Sequence, residues 1–205
     1  MRYLFLALAT LACTQIYARK NSADVGFLAG FTGGRITNSI ATYTDIQSDM
    51  PAISFTADYN FDRGSRRVYF SIPVRLHTNY LRVTERYTTA PVNTYPYNYY
   101  SETITAASLG AGAGITFMPL MSKNADLCLG AGVVPAMEVG RFRGIARFNA
   151  SGEAHFGVRM MNRVYLGVRY TYFAMPYELN EPQPRVRNQY GLSNIQFDVR
   201  FRFRR

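Results

Sequence analysis

The chain has 205 residues, of which 48% are hydrophobic, 15% aromatic and 18% charged, and its formal net charge is +10. This apolar fraction excludes a wholly disordered protein, and the length suits one domain with a single closed core. Two cysteines cannot form a disulfide framework, and two histidines leave little material for a metal cluster. We therefore expect a folded chain that uses no cofactor and no metal ion.

The N-terminal segment has the parts of a secretory signal peptide. Arg2 supplies the positive charge, Leu4 to Ala12 form an apolar stretch, and Ala18 ends a small-residue cleavage site. The apolar stretch, about ten residues, is too short to cross a bilayer as a helix. We predict a signal peptide over residues 1–18 and one exported domain over residues 19–205.

Apolar and polar residues alternate along eight segments of the exported domain, as in strands, whose successive side chains point to opposite faces. The alternation is clearest at Ile195–Phe203, where aliphatic and aromatic residues occupy one face and Gln, Asp and Arg the other. No segment shows the 3.6-residue stripe of an amphipathic helix, so we predict an all-β fold. The predicted strands are 25–31, 53–61, 68–77, 109–117, 127–133, 153–159, 164–172 and 195–203.

The connections between these strands alternate between long and short. Long connections cover 33–51, 82–103, 138–148 and 174–191, and short ones cover 62–66, 118–126 and 160–163. Outer-membrane barrels have this rhythm, because their short turns lie at one rim and their longer loops at the other. We predict an eight-stranded antiparallel up-and-down transmembrane β-barrel.

The charged residues share a strand face with glycines and small polar residues, while the opposite face is aliphatic and aromatic. An eight-stranded interior is only just wide enough to be filled by side chains, and glycines there would make room for long arginines. An arginine on the lipid face at mid-bilayer would cost roughly 2–4 kcal/mol. We therefore predict apolar residues against lipid and a polar network that plugs the lumen. That network comprises Asp58, Arg75, Glu153, His155, Arg159, Arg169, Asp198 and Arg200.

Aromatic residues cluster near the strand ends, where girdles at the membrane interfaces are expected. They are Tyr59, Phe61, Tyr80, Tyr170, Tyr172, Phe201 and Phe203. The opposite orientation, with the apolar face inside, would instead make a soluble lipocalin-like carrier.

The opening strand Val25-Gly26-Phe27-Leu28-Ala29-Gly30, the strand-and-turn rhythm and the closing strand Ile195–Phe203 resemble the small outer-membrane β-barrel family, of the OmpA/OmpX-like type. The generic outer-membrane β-barrel domain proteins of Bacteroidota are similar to the whole exported domain. The resemblance implies an outer-membrane location in a Gram-negative cell and a structural or interaction role: envelope integrity, adhesion or a place in a larger assembly. The sequence departs from the family's pattern of ending on an aromatic residue, since Arg204 and Arg205 follow Phe203.

An enzyme is the first alternative to a structural role. His77 and His155 have inward parity, Glu153 lies two residues from His155, and Ser71 and Ser151 are conceivable nucleophiles. A Ser–His–acid arrangement would give a lipid-A-modifying esterase or acyltransferase. Only their shared strand face brings these residues together, so we expect them to form hydrogen bonds in the lumen and not a catalytic site. A small-solute pore is the second alternative.

Three other features carry little functional information. Gly110-Ala111-Gly112-Ala113-Gly114 is not a dinucleotide loop, because Ile115 stands where the third glycine of the fingerprint belongs and no helix follows. The arginines are spread along strands, so nucleic acid is not an expected partner. Cys128 lies mid-strand and is expected to serve packing and not chemistry. Cleavage before Cys13, as in a lipoprotein, is an alternative to the cut after Ala18.

Two of the predicted loops offer binding surfaces. Loop 82–103 is tyrosine-rich, and Tyr95, Tyr97, Tyr99 and Tyr100 could form an extracellular recognition surface, since tyrosine supplies contact area at low entropic cost. The last loop carries Arg185 and Arg187, which could bind lipopolysaccharide phosphates. The expected partners are outer-membrane lipid, lipopolysaccharide and other outer-membrane proteins.

Overall fold

The computed structural model describes residues 21–38, 43–47, 50–61, 67–87, 98–140, 147–174, 177–178 and 189–204. These residues form the strands β1 (Ser22–Asn38), β2 (Tyr43–Gln47), β3 (Met50–Phe61), β4 (Val68–Tyr87), β5 (Asn98–Ala111), β6 (Ala113–Phe117), β7 (Ala125–Gly140), β8 (Arg147–Met160), β9 (Val164–Phe173), β10 (Tyr177–Glu178) and β11 (Gln189–Arg204). Over these ranges, the structure has no helix of the length and apolar content that crossing a membrane requires.

The strands form one closed antiparallel sheet. β3 and β4 follow β1, then β5 with β6, then β7, β8, β9 and β11, and β11 pairs back with β1. That closing ladder runs from Ser22–Arg204 to Asn38–Gln189. The short strands lengthen existing positions, since β2 pairs with β4 as β3 does, and β10 pairs with β11 as β9 does. The predicted fold, an eight-stranded up-and-down barrel, is confirmed.

β5 and β6 are one barrel strand with a local interruption at Gly112. The register of this strand against β4 is the same on both sides, with Val74 opposite Ala111 and Ser71 opposite Gly114. Between these pairs lies Pro73, which has no N–H to donate. Its carbonyl still accepts a bond of 2.9 Å from the Gly112 amide. The predicted strand 109–117 is therefore continuous in space although one ladder bond is missing.

The two rims of the barrel differ. At one end of the barrel, which we call the short-turn rim, β1 begins at Ser22 and β11 ends at Arg204. β3, β6 and β8 also end at this rim. Met161 and Asn162 there have φ of 48° and 57°, as a tight turn with left-handed central residues requires. β1, β4, β7 and β9 end at the opposite end of the barrel, which we call the long-loop rim.

The strands reach further toward the long-loop rim than the sequence analysis predicted. β4 continues to Tyr87 and β5 begins at Asn98, in one register without a shift. The predicted loop 82–103 was therefore too long, and Tyr99 and Tyr100 belong to β5, opposite Arg86 and Glu85. The run from Tyr99 to Thr105 is rich in aromatic and β-branched residues, which favour strands. Tyr95 and Tyr97 lie outside the described residues.

Burial along the strands is inverted relative to a water-soluble barrel. Arg75, Arg159, Arg169 and Arg200 are among the largest fully buried side chains, whereas Phe197 is 71% exposed. Inward positions carry charged, polar and glycine residues, and outward positions carry aliphatic and aromatic ones. The charged face therefore lines the interior and the apolar face forms the outside of the barrel.

Candidate functional site in the barrel lumen

Three arginines and three carboxylates form a closed ring inside the barrel, which we call the lumen ring. Its members come from β3, β4, β8, β9 and β11, so it crosses the interior. Around the ring they alternate in sign: Asp58, Arg75, Glu153, Arg169, Asp198 and Arg200. Because each arginine bridges two carboxylates and each carboxylate two arginines, the charges cancel within the ring.

Arg75 and Arg169 hold Glu153 from opposite sides. The Arg75 Nε lies 3.0 Å from Glu153 Oε1, and its Nη1 donates to Thr56 Oγ1 at 2.6 Å and to Asp58. Arg169 donates to Glu153 through Nη1 and to Asp198 Oδ2 through Nε and Nη2, at 3.0 and 2.8 Å. Charge-assisted bonds of this kind are about twice as strong as neutral ones.

Arg200 completes the ring and packs on an aromatic side chain. Its Nε lies 3.0 Å from Asp198 Oδ1 and its Nη1 donates to Asp58. The Arg200 guanidinium carbon lies 4.0 Å from the ring centroid of Tyr165, which is also buried. Stacking on the tyrosine therefore fixes the plane of the guanidinium while its edge binds the two carboxylates.

A second ion-pair cluster, the rim cluster, lies nearer the short-turn rim. Arg159 Nη2 donates to Asp24 Oδ2 at 2.9 Å and to the Tyr69 hydroxyl at 2.6 Å. Arg202 donates to both Asp24 oxygens, at 2.7 and 3.0 Å. The lumen is therefore crossed by ion pairs at two levels.

The two histidines occupy separate positions in the lumen. His77 Nδ1 lies 2.7 Å from Ser54 Oγ, and its Nε2 lies 3.7 Å from Glu153 Oε1. His155 lies outside the lumen ring, with its Nε2 3.4 Å from the Thr116 hydroxyl. Ser71 and Ser151, the nucleophiles considered from the sequence, make no hydrogen bond to either histidine among the described residues.

Glycines in the lumen make room for rings more than for arginines. A Cβ on Gly157 or Gly167 would come within 2.7 or 2.8 Å of the Tyr165 Cζ, and one on Gly130 would overlap the His155 ring. Tyr165 and His155 in turn pack edge to face, with centroids 5.8 Å apart. The arginines, for which the sequence predicts this space, bind carboxylates across the lumen instead.

Asp24, Tyr69, Tyr165 and Ser54 are lumen residues that the sequence analysis did not select. Asp24 has the inward parity of β1 but lies one residue before the predicted strand. The other three have inward parity on their own strands but carry no formal charge, so the charge pattern does not mark them. Within the described ranges, no group of three His, Cys, Asp or Glu residues is placed to hold a metal ion. Cys128 is buried with Tyr69, Met118 and Tyr165.

No protein-family model matches the chain, and no curated protein matches it. Its structure is similar to that of Ail, the attachment invasion locus protein of Yersinia pestis, with a TM-score of 0.40 and 12% identity over 91% of this chain and 100% of that one. It is also similar to the outer membrane protein OprG from Pseudomonas aeruginosa, with a TM-score of 0.48 and 9% identity over 92% of this chain and 96% of that one. For Neisserial surface protein A the TM-score is 0.46 and the identity 15%, over 90% of this chain and 96% of that one. The strand pairing of this chain by itself gives a closed eight-stranded antiparallel barrel. At these identities and TM-scores the likeness carries no argument about function.

Proposed function

We propose that the chain is an integral barrel of a Gram-negative outer membrane, with a structural or binding role and a closed lumen. The inverted burial is the observation that carries this proposal. Soluble monomers rarely expose contiguous apolar patches larger than a few hundred Å². Here outward rows such as Phe27, Phe55, Phe156 and Phe197, all about half exposed or more, surround the barrel. A closed barrel in lipid needs this exterior and leaves no backbone edge unpaired.

The height of the apolar face supports a membrane of ordinary thickness. On β1, the outward row from Ala23 to Gly33 carries no charge and ends two residues before Arg35. Ten residues at ~3.4 Å each, along a strand tilted by ~40°, span about 26 Å. The apolar band of outer-membrane barrels is ~25 Å tall. The β1 row is therefore long enough to cross the bilayer.

The lumen ring and the rim cluster argue against a pore. The six side chains of the lumen ring are almost completely buried and bound to one another. An ion crossing the barrel would have to break several charge-assisted hydrogen bonds at each level. We therefore expect no steady single-channel conductance from the intact chain in planar bilayers.

A contact between a serine, a histidine and a glutamate favours the enzyme alternative, but the surroundings of these three residues argue against an enzyme. Ser54, His77 and Glu153 follow one another in the order of a Ser–His–acid triad. However, Ser54 and His77 are buried in the lumen, and Glu153 already binds two arginines. Lipid substrates surround the outside of the barrel and do not reach these atoms. Unchanged lipid-A mass spectra after Ser54→Ala would agree with a structural role for this contact.

A binding role is supported by the length of the β4–β5 ladder at the long-loop rim. β4 continues to Tyr87 and pairs with β5 from Asn98 onward in one register. Tyr99 and Tyr100 lie in this part of β5, and tyrosine supplies contact area at low entropic cost. We propose this end of the ladder as the surface for partner proteins.

Cell fractionation and gel migration test the proposal together. We expect the exported chain in the outer-membrane fraction, and a shift in migration between unboiled and boiled samples after detergent extraction. A chain in the soluble periplasmic extract would overturn the proposal. Replacing residues 83–102 by an Asn-Gly turn tests the binding role, because the barrel should keep its heat-dependent shift and lose binding to partner proteins.

A further inference from the structure

An exposed arginine lies on the outer face of the barrel, just beyond the apolar band at the long-loop rim. Arg35 has the outward parity of Phe27, Ala29 and Phe31 on β1, and β1 keeps its register against β11 as far as Ile36. With the apolar row ending at Gly33, the guanidinium comes where hydrocarbon gives way to lipid headgroups. This placement of Arg35 depends on the membrane orientation proposed above.

Arg35 is held in place by residues of β11, which pairs with β1, and of β9, the next strand around the barrel. Its Nη2 donates to the Tyr172 hydroxyl of β9, and its guanidinium carbon lies 4.7 Å from the centroid of the Tyr172 ring. To reach Tyr172 it crosses β11 at Gly191, where a Cβ would come within 2.5 Å of Nε and 3.0 Å of Cγ. Glycine at this position therefore leaves the path of the arginine open.

The charge on Arg35 has no counter-ion among the side chains that the structure describes. Its contacts there are to Tyr172 and to the backbone cleared by Gly191, and no carboxylate pairs with it. Every lumen arginine described above, by contrast, binds a carboxylate. Nε and Nη1 remain as donors for a ligand from outside.

We propose that Arg35 and Tyr172 bind a phosphate of an outer-leaflet lipid headgroup. The planar guanidinium offers parallel N–H groups that match two phosphate oxygens, and the tyrosine ring fixes its plane. The lipid's acyl chains lie along the apolar outward rows of β1, β11 and β9 below the site. This inference deepens the proposed function by assigning the lipid contact to particular residues.

The test compares two lipids that differ only in phosphate. The full chain, folded in detergent micelles, is titrated with bisphosphorylated lipid A and with dephosphorylated lipid A, and bound lipid is counted by native mass spectrometry. Since the acyl chains are the same, their contribution cancels in the ratio of the two affinities. One arginine near an anionic surface is worth about a fivefold difference, and we expect a preference of that size for the phosphorylated lipid.

The variants separate a built site from general positive charge. Arg35→Gln should abolish the preference, and Gly191→Ala should reduce it although the net charge is unchanged. Arg82→Gln is the matched control, because Arg82 is exposed with outward parity on β4 and has no ion pair or ring contact among the described residues. Its preference should equal that of the wild type.

Three results would overturn the inference: a preference that survives Arg35→Gln, an equal loss in Arg82→Gln, or complete competition by inorganic phosphate at the concentration of the lipid. The last result would assign the site to free phosphate. All variants are first checked for the heat-dependent gel shift. A folded barrel without phosphate preference refutes this inference alone, whereas a chain that never forms a heat-shifting barrel refutes the proposed function.

Discussion

Replacing Arg169 by methionine tests whether the lumen ring stabilises the barrel. Arg169 is fully buried and makes charge-assisted bonds to Asp198, at 2.8 and 3.0 Å, and to Glu153. Removing one partner of a buried ion pair costs roughly 3–5 kcal/mol. Asp198 keeps Arg200 and Glu153 keeps Arg75, so we expect the lower end of this range, about 3 kcal/mol.

The assay is urea unfolding of the full chain in lipid vesicles, followed by circular dichroism and by the fraction that migrates as the unboiled form. Arg82→Met is the control, and as an exposed residue without a described partner it should change the unfolding free energy by less than ~0.5 kcal/mol. The double variant Arg169→Met with Asp198→Asn leaves two arginines and two carboxylates in the ring. Its loss should be smaller than the sum of the single losses by about 1 kcal/mol or more. Strict additivity, or an Arg169→Met variant as stable as the control, would refute the ring as a coupled unit.

Three further predictions follow from the two faces of the barrel. Phe197→Arg, in the middle of the outer face, should destabilise the barrel in vesicles by roughly 2–4 kcal/mol. Phe203→Arg, near the short-turn rim, should destabilise it by about 1 kcal/mol or less. Equal losses of unfolding free energy in urea would contradict a bilayer around this face. Gly130→Val should cost about 1–3 kcal/mol by overlapping the His155 ring, and His155→Ala should recover part of that loss in the same assay. Cys128 is fully buried, so a polar maleimide should label it only after unfolding, as mass spectrometry of native and boiled samples would show.

The sequence predicted the architecture because strand parity is a local signal. In β11, alternate residues from Ile195 to Phe203 separate by polarity, and one strand of this kind already defines an inner and an outer face. The same signal placed the arginines and carboxylates of the lumen ring on one face. It could not predict the partners, because Arg75 of β4 meets Glu153 of β8 across the lumen, and that meeting depends on how the strands are tilted and staggered.

The strand ends were predicted less well, and Arg35 and Asp24 were missed for this reason. The sequence pattern predicts a loop over residues 33–51, so it does not show the outward parity of Arg35. Asp24 was missed at the opposite end of the same strand for the same reason. Polar residues above the bilayer no longer alternate with apolar ones, since both faces of the strand meet water or headgroups there. Strand pairing continues where the alternation stops, so the strand ends cannot be read from the alternation alone.

The orientation of the barrel wall is tested most directly by introduced tryptophans, because the chain contains none of its own. Phe55→Trp and Phe197→Trp report on the outer face, and Tyr165→Trp reports on the lumen. In vesicles that contain lipids brominated near mid-chain, we expect strong quenching at positions 55 and 197 and little at position 165. Quenching at 165 alone, or quenching of 55 and 197 by aqueous iodide, would show that water surrounds the apolar face and would contradict the membrane barrel.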